Sequence, residues 1–85
     1  MRLGTLLQLE AERVGRAADW RPYVAGRLLL PPGGALPFGL LAEPVPQDRA
    51  TAEAVAARWR VDPDVMWLVT RSALELLDRA SRRSV

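Results

Sequence analysis

The sequence predicts a helix-rich α+β domain: an N-terminal helix, a short β-hairpin and two packed C-terminal helices. Three observations carry that expectation. Residues 1–19 are rich in Leu, Ala, Glu and Arg, which are good helix formers. The middle stretch, Trp20–Gln47, holds six of the seven prolines and four of the six glycines, and so is expected to contain no long helix. From Asp48 onward two amphipathic stripes follow one another across a junction of a few residues.

In the first zone Leu3, Leu7, Ala11, Val14 and Ala18 fall at four- and three-residue steps, one face of a helix, and Thr5 with Gln8 has capping-box spacing. The alternation of Leu7, Leu9 and Ala11 with Gln8, Glu10 and Glu12 leaves a half-buried strand open over residues 5–18. In the second zone Tyr23–Leu30 and Ala35–Ala42 read as the two arms of a hairpin, joined at Pro32-Gly33, which suits a type II turn. Pro37 is expected on the outer side of an edge strand, and Glu43-Pro44-Val45-Pro46 as a stiff linker. In the third zone Ala52, Val55, Ala56 and Trp59 make one helical stripe, with Asp48 or Thr51 as its cap. Asp62, Pro63 and Asp64 then suit the N-cap, first position and first turn of a helix whose apolar face is Met66, Val69, Ala73, Leu76, Leu77 and Ala80, running to about Ser81. The last residues, Arg82 to Val85, are expected to fray.

The chain has 85 residues, enough for one small domain over residues 1–85, and its 49% hydrophobic and 26% charged residues match an ordinary globular protein. Lys, His, Cys, Ile and Asn are all absent. Lys, Ile and Asn have A/T-rich codons, so their joint loss points to a GC-rich bacterium or its phage. All 12 basic residues are therefore Arg for a reason that precedes any phosphate recognition. The pI near 10.4 reflects a net charge of only +2 with no ordinary titrating group between the carboxylates and the phenol. The longest apolar run, Val65–Val69, falls far short of the roughly 20 residues of a membrane span, and Leu6–Leu9 is too short for a secretory signal. A soluble, cytoplasmic domain with no membrane partner is the expectation.

Little in the sequence suits catalysis. Without His there is no imidazole base, without Cys no thiolate, and without Lys no Schiff base or phosphate-loop lysine, so Gly33-Gly34 reads as a turn. Asp62 and Asp64 could ligate a hard cation, but helix capping explains both. Glu10 and Glu12 fall on different helix faces, and Ser72 has no base beside it in sequence. No enzyme, cofactor or metal is expected.

Binding features are better developed. Trp59 lies on an apolar stripe and reads as core. Val65, Trp67 and Leu68 surround Met66 and Val69, so the start of the last helix is apolar on nearly every side. Either that segment is fully buried or it is exposed for a partner. The candidate partner-binding residues are Val65, Trp67, Leu68, Thr70 and Arg71, with Leu28 and Leu30 from the hairpin.

Two resemblances fall in the third zone. The stretch Thr51-Ala52-Glu53-Ala54-Val55-Ala56-Ala57-Arg58-Trp59-Arg60-Val61-Asp62-Pro63 resembles the opening of the helix-turn-helix of bacterial regulators. It departs at Arg60, where the turn glycine usually stands, and at Val65–Val69, where base-reading side chains should stand; Thr70 and Arg71 alone suit DNA. Ala50–Ala80 also resembles the winged-helix domains that hold leader peptides during biosynthesis of modified peptides, the pyrroloquinoline-quinone chaperone type. Leu30-Pro31-Pro32-Gly33-Gly34-Ala35-Leu36 is similar to the segment after their strands. This resemblance implies a peptide adding a strand to a sheet edge and resting on the last helix. Pro37 and the N-terminal helix depart from that pattern.

The favoured expectation is a non-enzymatic module that binds a peptide or partner protein. A helix-turn-helix DNA-binding regulator is the first alternative. A phage or oligomeric assembly protein, whose partner is a second copy of the chain, is the other.

Overall fold

A computed structural model of the chain describes residues 1–31 and 35–83. Among the described residues five helices follow one another: α1 (Leu3–Arg13), α2 (Trp20–Arg27), α3 (Phe38–Ala42), α4 (Arg49–Trp59) and α5 (Pro63–Arg83). Among the described residues there is no strand, and the β-type pairing is one isolated antiparallel bridge between Arg2 and Pro44.

The α+β expectation is thereby overturned, and with it the hairpin and the winged-helix shape. Two of the prolines that argue for extended chain, Pro22 and Pro37, sit where a helix tolerates them. Pro22 is in the first turn of α2, where its missing N–H needs no helical partner, and the first i→i−4 bond runs from the Tyr23 N–H to the Asp19 carbonyl at 3.1 Å. Pro37, expected on a strand edge, is the N-cap of α3. The proposed Pro32-Gly33 turn lies outside the described residues, as do Ser84 and Val85.

Helix α1 stands where its composition places it, but its buried face is Leu3, Leu6, Leu7, Glu10 and Ala11. The helix stops at Arg13, so Val14 and Ala18, expected on that face, are exposed. The Thr5–Gln8 capping box is absent: Arg2 is the N-cap and no side chain caps it. The start is secured by backbone from the α3–α4 connection. The Leu3 N–H donates to the Glu43 carbonyl at 2.7 Å, and the Val45 N–H donates to the Met1 carbonyl at 3.1 Å.

The third zone folds as its local signals predict. Asp48 caps α4 by accepting from the Thr51 N–H at 2.7 Å, and that bond holds its carboxyl below the ordinary carboxylate range. Asp62 caps α5 by accepting from the N–H groups of Asp64 and Val65 at 2.8 and 3.2 Å. Helix α1 lies at the centre of the packing, touching α2, α3 and α5, while α4 packs on α5. Leu3, Leu6 and Leu7 meet Val24 and Leu28, Leu40, the Ala52–Val55–Ala56 stripe, and Met66, Val69 and Ala73 in one core.

Two helices end on non-glycine residues in the left-handed region, Leu29 after α2 (φ 55°) and Arg60 after α4 (φ 58°). Each sits in a Schellman-type closure: the Leu30 N–H reaches the Ala25 carbonyl at 3.0 Å, and the Val61 N–H reaches the Ala56 carbonyl at 2.9 Å. The equivalent position after α1 is Gly15 (φ 80°), which adopts this conformation without a Cβ penalty. Left-handed backbone costs an L side chain roughly 1–2 kcal/mol, partly offset by the larger unfolded-state entropy of glycine. Arg60→Gly is therefore expected to stabilise the fold by about 0.5–1 kcal/mol, a rise of several degrees in Tm for a domain this small. A thermal melt showing no rise would contradict the assigned cap.

Candidate functional site

The segment singled out on α5 divides between core and surface. Thr70 is fully buried, its hydroxyl 3.9 Å from the Met66 sulfur, because Met66, Val69, Thr70 and Ala73 share the face turned to the core. Val65 and Trp67 are half-buried against that core, whereas Leu68 is 67% exposed. Arg71 is exposed, with its guanidinium carbon 5.5 Å from the centre of the Trp67 ring. Leu28 is part of the core and Leu30 packs against it half-buried. What remains accessible is a small patch of Leu68, Arg71 and the edge of Trp67. Of the two polar groups expected to suit DNA, Thr70 faces inward.

A larger concavity forms elsewhere. The first turns of α1, the start of α2 and the short helix α3 enclose a groove of about 450 Å³ lined by Arg2, Gly4, Thr5, Gln8, Trp20, Arg21, Phe38, Leu41 and Ala42. Phe38 stands at its lip with 83% of its surface exposed. Leaving a Phe in water forgoes roughly 1.5–3 kcal/mol of burial, and Phe38 shares its concavity with Trp20 and Leu41, so it belongs to an apolar patch rather than standing alone.

Phe38 is held there by close packing on both sides of α3. A five-residue helix is not stable alone, so its neighbours must fix it. On one side Gly4 lets α1 approach: a Cβ there would lie 2.8 Å from the Leu41 Cβ and 3.0 Å from its carbonyl oxygen. On the other side Gly39 admits the Trp59 indole, since a Cβ would lie 2.6 Å from the ring's Cζ2. That indole is fixed in turn, its Nε1–H donating to Glu43 Oε2 at 3.0 Å, and Arg58 pairs with the same oxygen. Trp59, read as core, therefore works as a half-buried wedge between α4 and α3.

The groove is cationic. Arg2 and Arg21 line it and no carboxylate does. Arg2 donates one bond to the Ala42 carbonyl at 2.8 Å, and the Arg21 guanidinium lies 4.8 Å from the Trp20 ring centre. The two nearest acids in sequence are already engaged. Asp19 pairs with Arg16, whose hydrogen bonds hold its carboxyl below the ordinary range, and Glu43 pairs with Arg58. A second hollow of about 260 Å³, lined by Arg21, Pro22, Ala25, Ala35 and Leu36, adjoins the first through Arg21.

This arrangement can seat apolar side chains and orient an anionic group. Among the described residues no three carboxylates gather where they could hold a metal ion, and no helix is long and apolar enough to cross a membrane. Reading the sequence missed the groove because its lining comes from three distant stretches. The available signal was the pair of small residues, Gly4 and Gly39, set within apolar helical segments. Compared with protein-family models, curated proteins and solved structures, the chain finds no match.

Proposed function

We propose that the chain is a non-catalytic binding module that seats a segment of a partner polypeptide in the groove between α1, α2 and α3. The observation that carries this reading is Phe38, 83% exposed at the lip of a concavity and clamped there through Gly4 and Gly39. Trp20, Phe38 and the two arginines are the residue types in which polypeptide interfaces are enriched, and aromatic anchors beside Arg are the usual centres of binding energy. The volume suits a few side chains rather than a folded domain. Strand addition has no sheet edge to use among the described residues, so the segment would bind through side chains in the groove.

The test is selection of a random decapeptide library on the immobilised chain, with each recovered peptide measured against two variants. Phe38→Asp is expected to weaken binding by 30-fold or more, in line with the roughly 2 kcal/mol or more lost at a hot spot. Leu68→Glu, on the α5 patch, is expected to leave it unchanged. Peptides that bind Phe38→Asp as tightly as the natural chain would refute the assignment, and loss on Leu68→Glu alone would move the site to α5. Both positions are exposed, so neither change disturbs the core.

A further inference from the structure

Resting on that reading of the groove, we infer that its occupant is an acidic polypeptide segment, with a carboxylate set between two apolar side chains. Charge complementarity carries the inference. Six ion pairs among the described residues engage Arg16, Arg27, Arg49, Arg58 and Arg82 with acids of the chain itself. Arg2, Arg13, Arg21, Arg60, Arg71 and Arg79 take part in none of them, and of these six Arg2 and Arg21 alone line a concavity that also presents aromatic and apolar side chains.

Their present contacts leave donors to spare. Arg2 uses one N–H group on the Ala42 carbonyl, and Arg21 lies against an aromatic ring, which leaves its N–H fork open at the edge. Arg21 is exposed with one face on the Trp20 indole, and the planar fork of a guanidinium suits a bidentate carboxylate. The position of Arg21 sets the pattern. It lines both hollows, the larger with Phe38 and Leu41 and the smaller with Pro22, Ala25 and Leu36. An extended segment crossing from one to the other would place an apolar side chain in each and an acid over Arg21. With no carboxylate in either lining, such a segment meets no repulsion, whereas a basic one would.

The same library selection decides the point, with fluorescence anisotropy on the recovered peptides. Asp and Glu should be enriched beside apolar residues. Arg21→Gln should weaken those peptides about tenfold and Arg2→Gln about fivefold, the scale of one lost charge-assisted hydrogen bond. Replacing the peptide's acids with Gln or Asn should cost about tenfold or more on the natural chain and no more than about fivefold, the share that Arg2 supplies, on Arg21→Gln. Peptides that need Phe38 but show no acidic enrichment and ignore both arginine changes would overturn this inference while leaving the binding function standing. If no recovered peptide depends on Phe38, both fall. A 20-nucleotide single-stranded oligonucleotide that displaces the peptides and binds more tightly would reassign the two cations to phosphate and overturn the inference.

Discussion

Replacing Arg27 with alanine is expected to lower the unfolding free energy by about 2–4 kcal/mol. Glu10 lies on the buried face of α1 with only 4% of its side chain accessible, and Arg27 from α2 pairs with it at 28% accessibility. Arg27 also donates to the Tyr23 hydroxyl at 3.3 Å. Burial alone would lower the guanidinium's pKa, but the bonds to Glu10 and Tyr23 outweigh it and raise it. Removing the cation leaves a carboxylate deep in the α1–α2 interface with no counter-charge, the costly half of a buried pair. The lower end of the range applies to the extent that water reaches Arg27. Against a total of roughly 4–13 kcal/mol for a chain this long, the loss brings the fold close to its threshold. The double change Glu10→Leu with Arg27→Leu should recover most of it, because two apolar groups of similar reach need no partner. Urea denaturation of Arg27→Ala, of the double variant and of its two component single changes, Glu10→Leu and Arg27→Leu, checks this. A single change costing under about 1 kcal/mol, or a double change as damaging as the sum, would show that the pair does not hold α2 on α1.

The second large effect concerns two glycines that should respond to the same substitution with opposite sign. Gly4→Ala is expected to destabilise by about 1–3 kcal/mol, since the added Cβ meets the Leu41 backbone carbonyl as well as its Cβ and neither can give way cheaply. That loss is net of the helix propensity alanine brings to α1, up to about 1 kcal/mol. Gly26→Ala in α2 meets nothing within 4 Å and should stabilise by about 0.5–1 kcal/mol through propensity alone. Thermal melts of the pair measure the difference directly. If Gly4→Ala also stabilised, α3 would not be packed against α1, and the rigid presentation of Phe38 would have no basis. Because α3 forms one wall of the groove, Gly4→Ala should also weaken peptide binding at temperatures where the variant is still folded.

How much was legible follows the distance over which each signal acts. Helices α4 and α5 could be read because their determinants are local: Asp48 and Asp62 as caps, Pro63 at a first helical position, and apolar stripes at three- and four-residue steps. Helix α1 could be read as a helix, but its face could not, because burial of Leu6 and Glu10 depends on where α2 and α5 dock. Helices α2 and α3 are hidden from a local reading because a proline ordinarily argues against a helix, whereas Pro22 and Pro37 occupy starts, where they fit. The α5 patch was half legible. Its apolar character was plain, but only packing decides that Thr70 turns inward while Leu68 turns out. The groove needed three distant stretches to meet, which no local pattern records.

The measurement that bears most directly on the central claim is amide chemical-shift mapping of the labelled chain with a selected peptide. The account predicts that the shifts cluster at residues 4–8, 20–21 and 38–42, the three walls of the groove, with residues 65–71 undisturbed. Shifts centred on residues 65–71, with Phe38 and its neighbours silent, would contradict it.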